Sequence, residues 1–200
     1  MTTIRSRGRL PHWEDRNAVY FVTFRLADSL PEAARRRIEF ERRDILRTAN
    51  AMHRAISAAE ERRLAQFSRG KIESQMDSGA GACWLARPGI AETVVEALRH
   101  FDGERYHLFA WCVMPNHVHV VFQPIAKNEL AGIVHSWKSY SSKKANRELR
   151  RSGEFWCREY FDHIVRNAQE FERIVRYVLA NPEKAGLRDW PWVGRSVRSG

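Results

Sequence analysis

The apolar positions of the chain fall into two rhythms. In "NAVYFVTFRLADSLP", residues 17–31, the apolar and β-branched run Val19–Phe24 stops at Asp28, Ser29 and Pro31, which predicts a first strand. From Pro31 to about Gln75 the spacing changes. Ile38, Ile45, Leu46, Met52, Ile56, Leu64 and Phe67 recur at helical intervals among Glu, Arg and Ala, predicting one or two surface helices. "DSGAGAC", 77–83, is a flexible joint. "RPGIAETVVEALRHFDG" then opens with Pro88 in a first-turn position, carries the stripe Ile90, Val94, Val95 and Leu98, and stops at Gly103.

"RYHLFAWCVM" and "HVHVVFQ" predict two strands joined by Pro115 and Asn116. The helix that follows, within 127–151, turns Leu130, Ile133, Val134 and Trp137 inward and keeps a basic outer face. "EFWCREYFDHIVR" predicts another strand. "NAQEFERIVRYVLANPEKAG" predicts a last helix with Phe171, Ile174, Val175, Val178 and Leu179 inward, ending at Asn181 because Pro182 disfavours helical geometry in the residue before it. With 31–80 set aside, the order is strand, helix, strand, strand, helix, strand, helix. Its first six elements make the split βαβ, ferredoxin-like order. The expectation is an α+β domain over 1–200: an antiparallel sheet with helices on one face, a helical insertion after strand one, and a C-terminal helix.

Two hundred residues at 44% hydrophobic and 29% charged suit one globular domain with a substantial core. No apolar stretch is long enough to span a bilayer and the N-terminus lacks an apolar leader, so a cytoplasmic, non-membrane protein is expected. Cys83, Cys112 and Cys157 are too few and too far apart for a disulfide or zinc framework. Charge adds a direction: 34 Lys and Arg against 24 Asp and Glu leave a net charge of +10, which suits a polyanionic partner such as nucleic acid.

Candidate chemistry starts with "PNHVHVVFQP". Side chains alternate across a strand, so His117 and His119 share one face. Two imidazoles form part of a metal site or of an acid–base pair, or simply occupy a solvated face. The last helix offers a complement. Among Tyr20, Tyr106, Tyr140, Tyr160 and Tyr177, only Tyr177 is followed one turn later by a side-chain oxygen ligand, Asn181. A core tyrosine followed by a C-terminal cap is the plainer reading of that pair.

"WCVMPNHVHVVFQP" followed by "RYVLANPEKAGL" resembles the HUH single-tyrosine transposases, and within them the REP-associated tyrosine transposase (RAYT) branch. "FWCREYFDHIVRN" is similar to the strand before the tyrosine helix in that family, and the resemblance spans 17–31 and 84–193. It implies that the tyrosine helix carries the nucleophile, Tyr177. It also implies that His117, His119 and Asn181 hold a divalent ion, Mg²⁺ or Mn²⁺. The implied substrate is single-stranded DNA beside hairpins, the implied product a 5′-phosphotyrosine intermediate, and the implied setting a bacterial, nucleoid-associated one. A homodimer is compatible with the family.

DNA contacts are expected from Lys138, Lys143, Lys144 and Arg147 along one side of a helix, with Trp137 stacking on bases. The basic arm "RSRGRLPHW" adds Arg5, Arg7 and Arg9, since the RAYT N-terminal segment reads DNA near the hairpin. Alternatives stay in view: a non-catalytic ferredoxin-like nucleic-acid-binding protein, a replication-initiator relative, or a zinc hydrolase using the paired histidines. Tyr160, close to Asp162 and His163, is a rival nucleophile; Tyr140, a lesser rival on a basic helix with no ligand partner, is expected to contact DNA or core instead.

Overall fold

A computed structural model describes residues 3–6, 11–14, 18–30, 32–57, 59–60 and 79–196. The chain divides into two compact units, one of residues 1–27 with 83–200 and one of residues 28–82. The smaller unit contains α1 (Glu32–Ala51), with Ile45 and Ala49 buried.

The larger unit begins with β1 (Thr3–Ser6) and β2 (Pro11–Glu14), paired antiparallel with Arg5 opposite His12. Part of the basic arm is thus paired strand. Its short strands put Ile4 and Trp13 on one rung, a match that a scan for long apolar runs does not detect.

Seven further elements build the body: β3 (Val19–Leu26), α2 (Pro88–Arg99), β4 (Tyr106–Val113), β5 (His117–Pro124), α3 (Leu130–Glu148), β6 (Trp156–Val165) and α4 (Ala168–Lys184). A short β7 (Val193–Arg195) follows. The five-stranded sheet has the order β6-β3-β5-β4-β7, and every pairing is antiparallel. Its first four strands are the ferredoxin-like order expected from the sequence. Nothing in the hydropathy pattern announces β7. There Gly194 lies flat against the Trp111 indole, where any Cβ would collide with the ring.

β5 is the central strand, and seven of its eight residues are buried. Both of its faces are therefore covered. On one face α2 and α3 close a core of Val22, Phe24, Leu108, Val118, Val120 and Phe122. On the other, α4 packs Ile174, Val175 and Val178 against Phe21, Cys112 and Val121. The helices are thus split between the two faces, and the C-terminal helix has the second to itself.

α4 starts at Asn167, whose side chain accepts a hydrogen bond from the Glu170 amide at 2.8 Å. It runs through Pro182 to Lys184, one turn past the expected end. Proline removes a single N–H, the one that would reach the Val178 carbonyl. The amides of Ala185, Gly186 and Leu187 still bond back to Asn181, Glu183 and Pro182, so the turn closes around the defect. Gly186, at φ 74°, takes the left-handed conformation that ends the helix.

Candidate active site

The paired antiparallel strands carry the site. Register places Thr23 of β3 opposite His119 and Arg25 opposite His117, so these four residues share the face covered by α4. The turn before β5 adds Asn116, buried with its carbonyl bonded to the Leu26 amide.

Each imidazole is held from behind. His117 Nδ1 lies 2.8 Å from Asn116 Oδ1, and His119 Nδ1 lies 2.8 Å from Thr23 Oγ1. A carboxamide oxygen only accepts, so His117 must donate from Nδ1, which leaves a lone pair on Nε2. The two Nε2 atoms then meet 3.0 Å apart. Without a cation, only His119 can carry the proton between them, with the Thr23 hydroxyl donating to its Nδ1. With one, Thr23 accepts instead and both lone pairs converge. Burial holds both rings neutral, pushing His117 down to about 3 and His119 well below its usual value, where the neighbouring His117 adds to the effect.

The described residues contain no cluster of three His, Cys, Asp or Glu that could hold a metal. The donor set that remains is two imidazoles and a carboxamide. Asn181 is buried, and its Oδ1 has no hydrogen-bond partner among the described residues. Two nitrogens bound at about 2.1 Å to one octahedral ion stand roughly 3 Å apart, which matches the Nε2 pair. A buried acceptor without a donor is costly unless a cation meets it. By donor type, two imidazoles and a carboxamide oxygen suit a divalent ion.

Tyr177 projects from α4 onto this face. Its ring meets the His119 ring edge-on, with centroids 5.5 Å apart and planes at 67°, and meets Phe21 at 6.0 Å and 89°. Phe21 also stacks on His119 at 5.6 Å. The Lys184 ammonium lies 5.2 Å from the centroid of the Tyr177 ring. Of the five tyrosines, Tyr177 alone packs on the histidine face. Tyr20, Tyr106 and Tyr160 pack with the core on the opposite face, and Tyr140 lies on the α3 layer that covers it. The rivals Tyr160 and Tyr140 are thereby separated from the imidazoles by the sheet.

The expected DNA contacts fare unevenly. Trp137 is a core residue: it is 2% exposed, donates to the Tyr106 hydroxyl at 2.8 Å and stacks with Phe24, so base stacking is not open to it. Lys138 donates to the carbonyls of Cys157 and Arg158 at 2.7 and 2.8 Å. These lie where β6 departs from register with β3, and the ammonium caps that irregularity. Lys144 is paired with Glu96 at 2.8 Å, while Lys143 and Arg147 are exposed on the same helix. Arg5 lies on β1; its side chain, and Arg7 and Arg9 entirely, fall outside the described residues.

Sequence reasoning missed Thr23, Phe21 and Lys184 in this arrangement, and gave Asn116 no role beyond its turn. The position of Asn116 directly before the first histidine was the available signal. Thr23 becomes visible only once register is known.

Comparison with known proteins points the same way. The profile of the family described as "Transposase IS200 like" matches residues 88–181, from the start of α2 to Asn181. A Haemophilus influenzae protein, provisionally named a REP-associated tyrosine transposase, is 24% identical over 101 residues, 44% of this chain and 57% of the relative. The REP-associated tyrosine transposase of Escherichia coli is 25% identical over 116 residues, 53% of this chain and 67% of the relative. The chain thus matches little more than half to two-thirds of each curated relative. A solved REP-associated tyrosine transposase bound to a REP hairpin superposes with a TM-score of 0.54 at 15% identity, covering 94% of this chain and 82% of that one. At that identity the likeness is one of fold.

Proposed function

We propose that this chain is similar in function to the REP-associated, IS200-like transposases it resembles, and that it cuts and rejoins single-stranded DNA beside hairpins through Tyr177. The observation that carries the proposal is the contact between Tyr177 and His119: the one tyrosine on the histidine face lies against the paired imidazoles.

Tyr177 Oη attacks the scissile phosphorus, forming a phosphotyrosyl bond to the 5′ side while the bond to the 3′-oxygen breaks. The phenol loses its proton to water, and the departing 3′-oxygen takes one up. Attack by a 3′-OH on the phosphotyrosine reverses the step without ATP, because the covalent bond conserves the energy of the one broken. Phe21 and His119 hold the ring edge-on, and Lys184 keeps positive charge beside it. Asn116 and Thr23 fix the imidazoles so that both Nε2 atoms face one point. A divalent ion, Mg²⁺ or Mn²⁺, held by His117, His119 and Asn181 would supply charge neutralisation at the phosphate oxygens. Imidazole donors favour Mn²⁺ over Mg²⁺ on grounds of softness.

The test is cleavage of hairpin-containing single-stranded DNA by wild type and Tyr177→Phe, with Mn²⁺ or with chelator. Wild type with metal should cut, and the other combinations should not. Equal cleavage by the variant would end the assignment. Binding without cleavage under every condition would favour a non-catalytic nucleic-acid-binding module.

A further inference from the structure

The molecule has a second concave site, on the sheet face away from the imidazoles. A cavity of about 650 Å³ opens between the C-terminal end of α2 and the outer side of α3. Glu96, Arg99, His100 and Phe101 line it on one side and Tyr140 on the other. Its volume lies within the roughly 300–1,000 Å³ of pockets that take compact organic ligands.

Its lining includes two aromatic rings, Phe101 and Tyr140, and the arginine Arg99, and further cations flank it. Tyr140 is 44% exposed, unusual for a ring of its size in this molecule. One side of that ring faces the Lys144 ammonium at 5.1 Å, and its hydroxyl donates to Glu96 at 3.4 Å. Across the cavity, Phe101 is stacked by the Arg105 guanidinium at 3.6 Å and met edge-on by His100 at 4.3 Å. Arg99 stands over Trp111 at 4.7 Å. Glu96, the one carboxylate among the described lining residues, is paired with Lys144 at 2.8 Å. Lys143 and Arg147 extend positive charge along the exposed side of α3.

An unpaired nucleotide satisfies both features at once, because its base offers a flat π-face and its phosphate a negative charge. A wholly apolar ligand would leave the cations unused, and a simple anion would leave the rings unused. We propose that this cavity is a subsite for an unpaired nucleotide of the DNA substrate, with Tyr140 as the stacking platform and the nearby arginines and lysines on the flanking phosphates. It lies across the sheet from Tyr177, so it anchors DNA remote from the scissile phosphate. The inference rests on the reading of this chain as a single-stranded-DNA enzyme.

The experiment reads binding apart from chemistry. Hairpin-bearing single strands with 2-aminopurine at successive unpaired positions are titrated into Tyr177→Phe protein in chelator, with Tyr140 intact, changed to Phe or changed to Ala. The expected result is quenching at one or two positions, kept by Tyr140→Phe and lost in Tyr140→Ala, with about a tenfold loss of affinity in the Ala variant. Unchanged affinity and quenching in Tyr140→Ala would overturn the subsite. So would an equal loss in Tyr140→Phe, which would assign the effect to the hydroxyl and Glu96. Because no cleavage is scored, failure here leaves the Tyr177 assignment standing, and failure of that assignment leaves this result readable.

Discussion

His117 and His119 bring their Nε2 atoms to 3.0 Å, each ring anchored through Nδ1, one by Asn116 and the other by Thr23. The anchors decide which nitrogen faces the site. Asn116→Ala removes the acceptor 2.8 Å from His117 Nδ1, and Mn²⁺ affinity measured by calorimetry should fall about 10–100-fold. Thr23→Val should act in the same direction on His119. Wild-type affinity in both variants would show that the rings need no support.

The pair also makes stability depend on pH. Unfolded imidazoles titrate near 6.5, whereas burial pushes His117 down to about 3 and holds His119 well below its ordinary value when folded without metal. Between those limits the unfolded chain binds protons that the folded chain refuses. The stabilising contribution of the neutral rings is therefore complete above about pH 6.5 and is lost as pH falls toward 3. The slope reaches about 1.4 kcal/mol per pH unit for each ring. Denaturant midpoints of metal-free protein should be level from pH 7 to 8 and fall below pH 6.5, and His117→Asn should flatten the descent. A midpoint independent of pH would contradict the burial of neutral imidazoles.

Asn181 presents the reverse case, a buried acceptor with no partner among the described residues. Asn181→Ala removes that unmet oxygen and leaves little behind, so the melting temperature of metal-free protein should hold or rise. Metal affinity should drop at the same time. A destabilisation above about 2 kcal/mol would mark Asn181 as a structural residue.

The basic residues of α3 separate by role. Lys138→Met leaves the Cys157 and Arg158 carbonyls without their donor and should cost about 1–3 kcal/mol in urea unfolding, while the salt dependence of DNA binding stays as it was. Lys143→Ala and Arg147→Ala should do the opposite, lowering the slope of log affinity against log salt by roughly one each at constant stability. Interchanged results would restore Lys138 to the DNA surface.

Much of this was legible in the residues. Alternation on β5 put His117 and His119 on one face, and helical periodicity put Tyr177 and Asn181 on one stripe. What was hidden depends on partners remote in sequence. Trp137 and Lys138 lie side by side on a helix that looks basic, yet one is drawn into the core by Tyr106 and Phe24, and the other reaches around to an irregular edge strand. Thr23 faces His119 only through the register of β3 with β5. Pro182 looked like a helix end because the rule for the residue before proline is local, whereas the end of α4 is set by amides beyond it. The short strands β1, β2 and β7 carry too few residues to show a period.

As the proposed nucleophile, Tyr177 should form a covalent bond to DNA. Wild-type protein is incubated with Mn²⁺ and a hairpin-bearing single strand, then denatured, digested and sequenced by mass spectrometry. One modified peptide is expected, with a nucleotide 5′-phosphate on Tyr177, absent with chelator and absent in Tyr177→Phe. An adduct on Tyr160 or Tyr140, or cleavage with no protein–DNA bond, would contradict it.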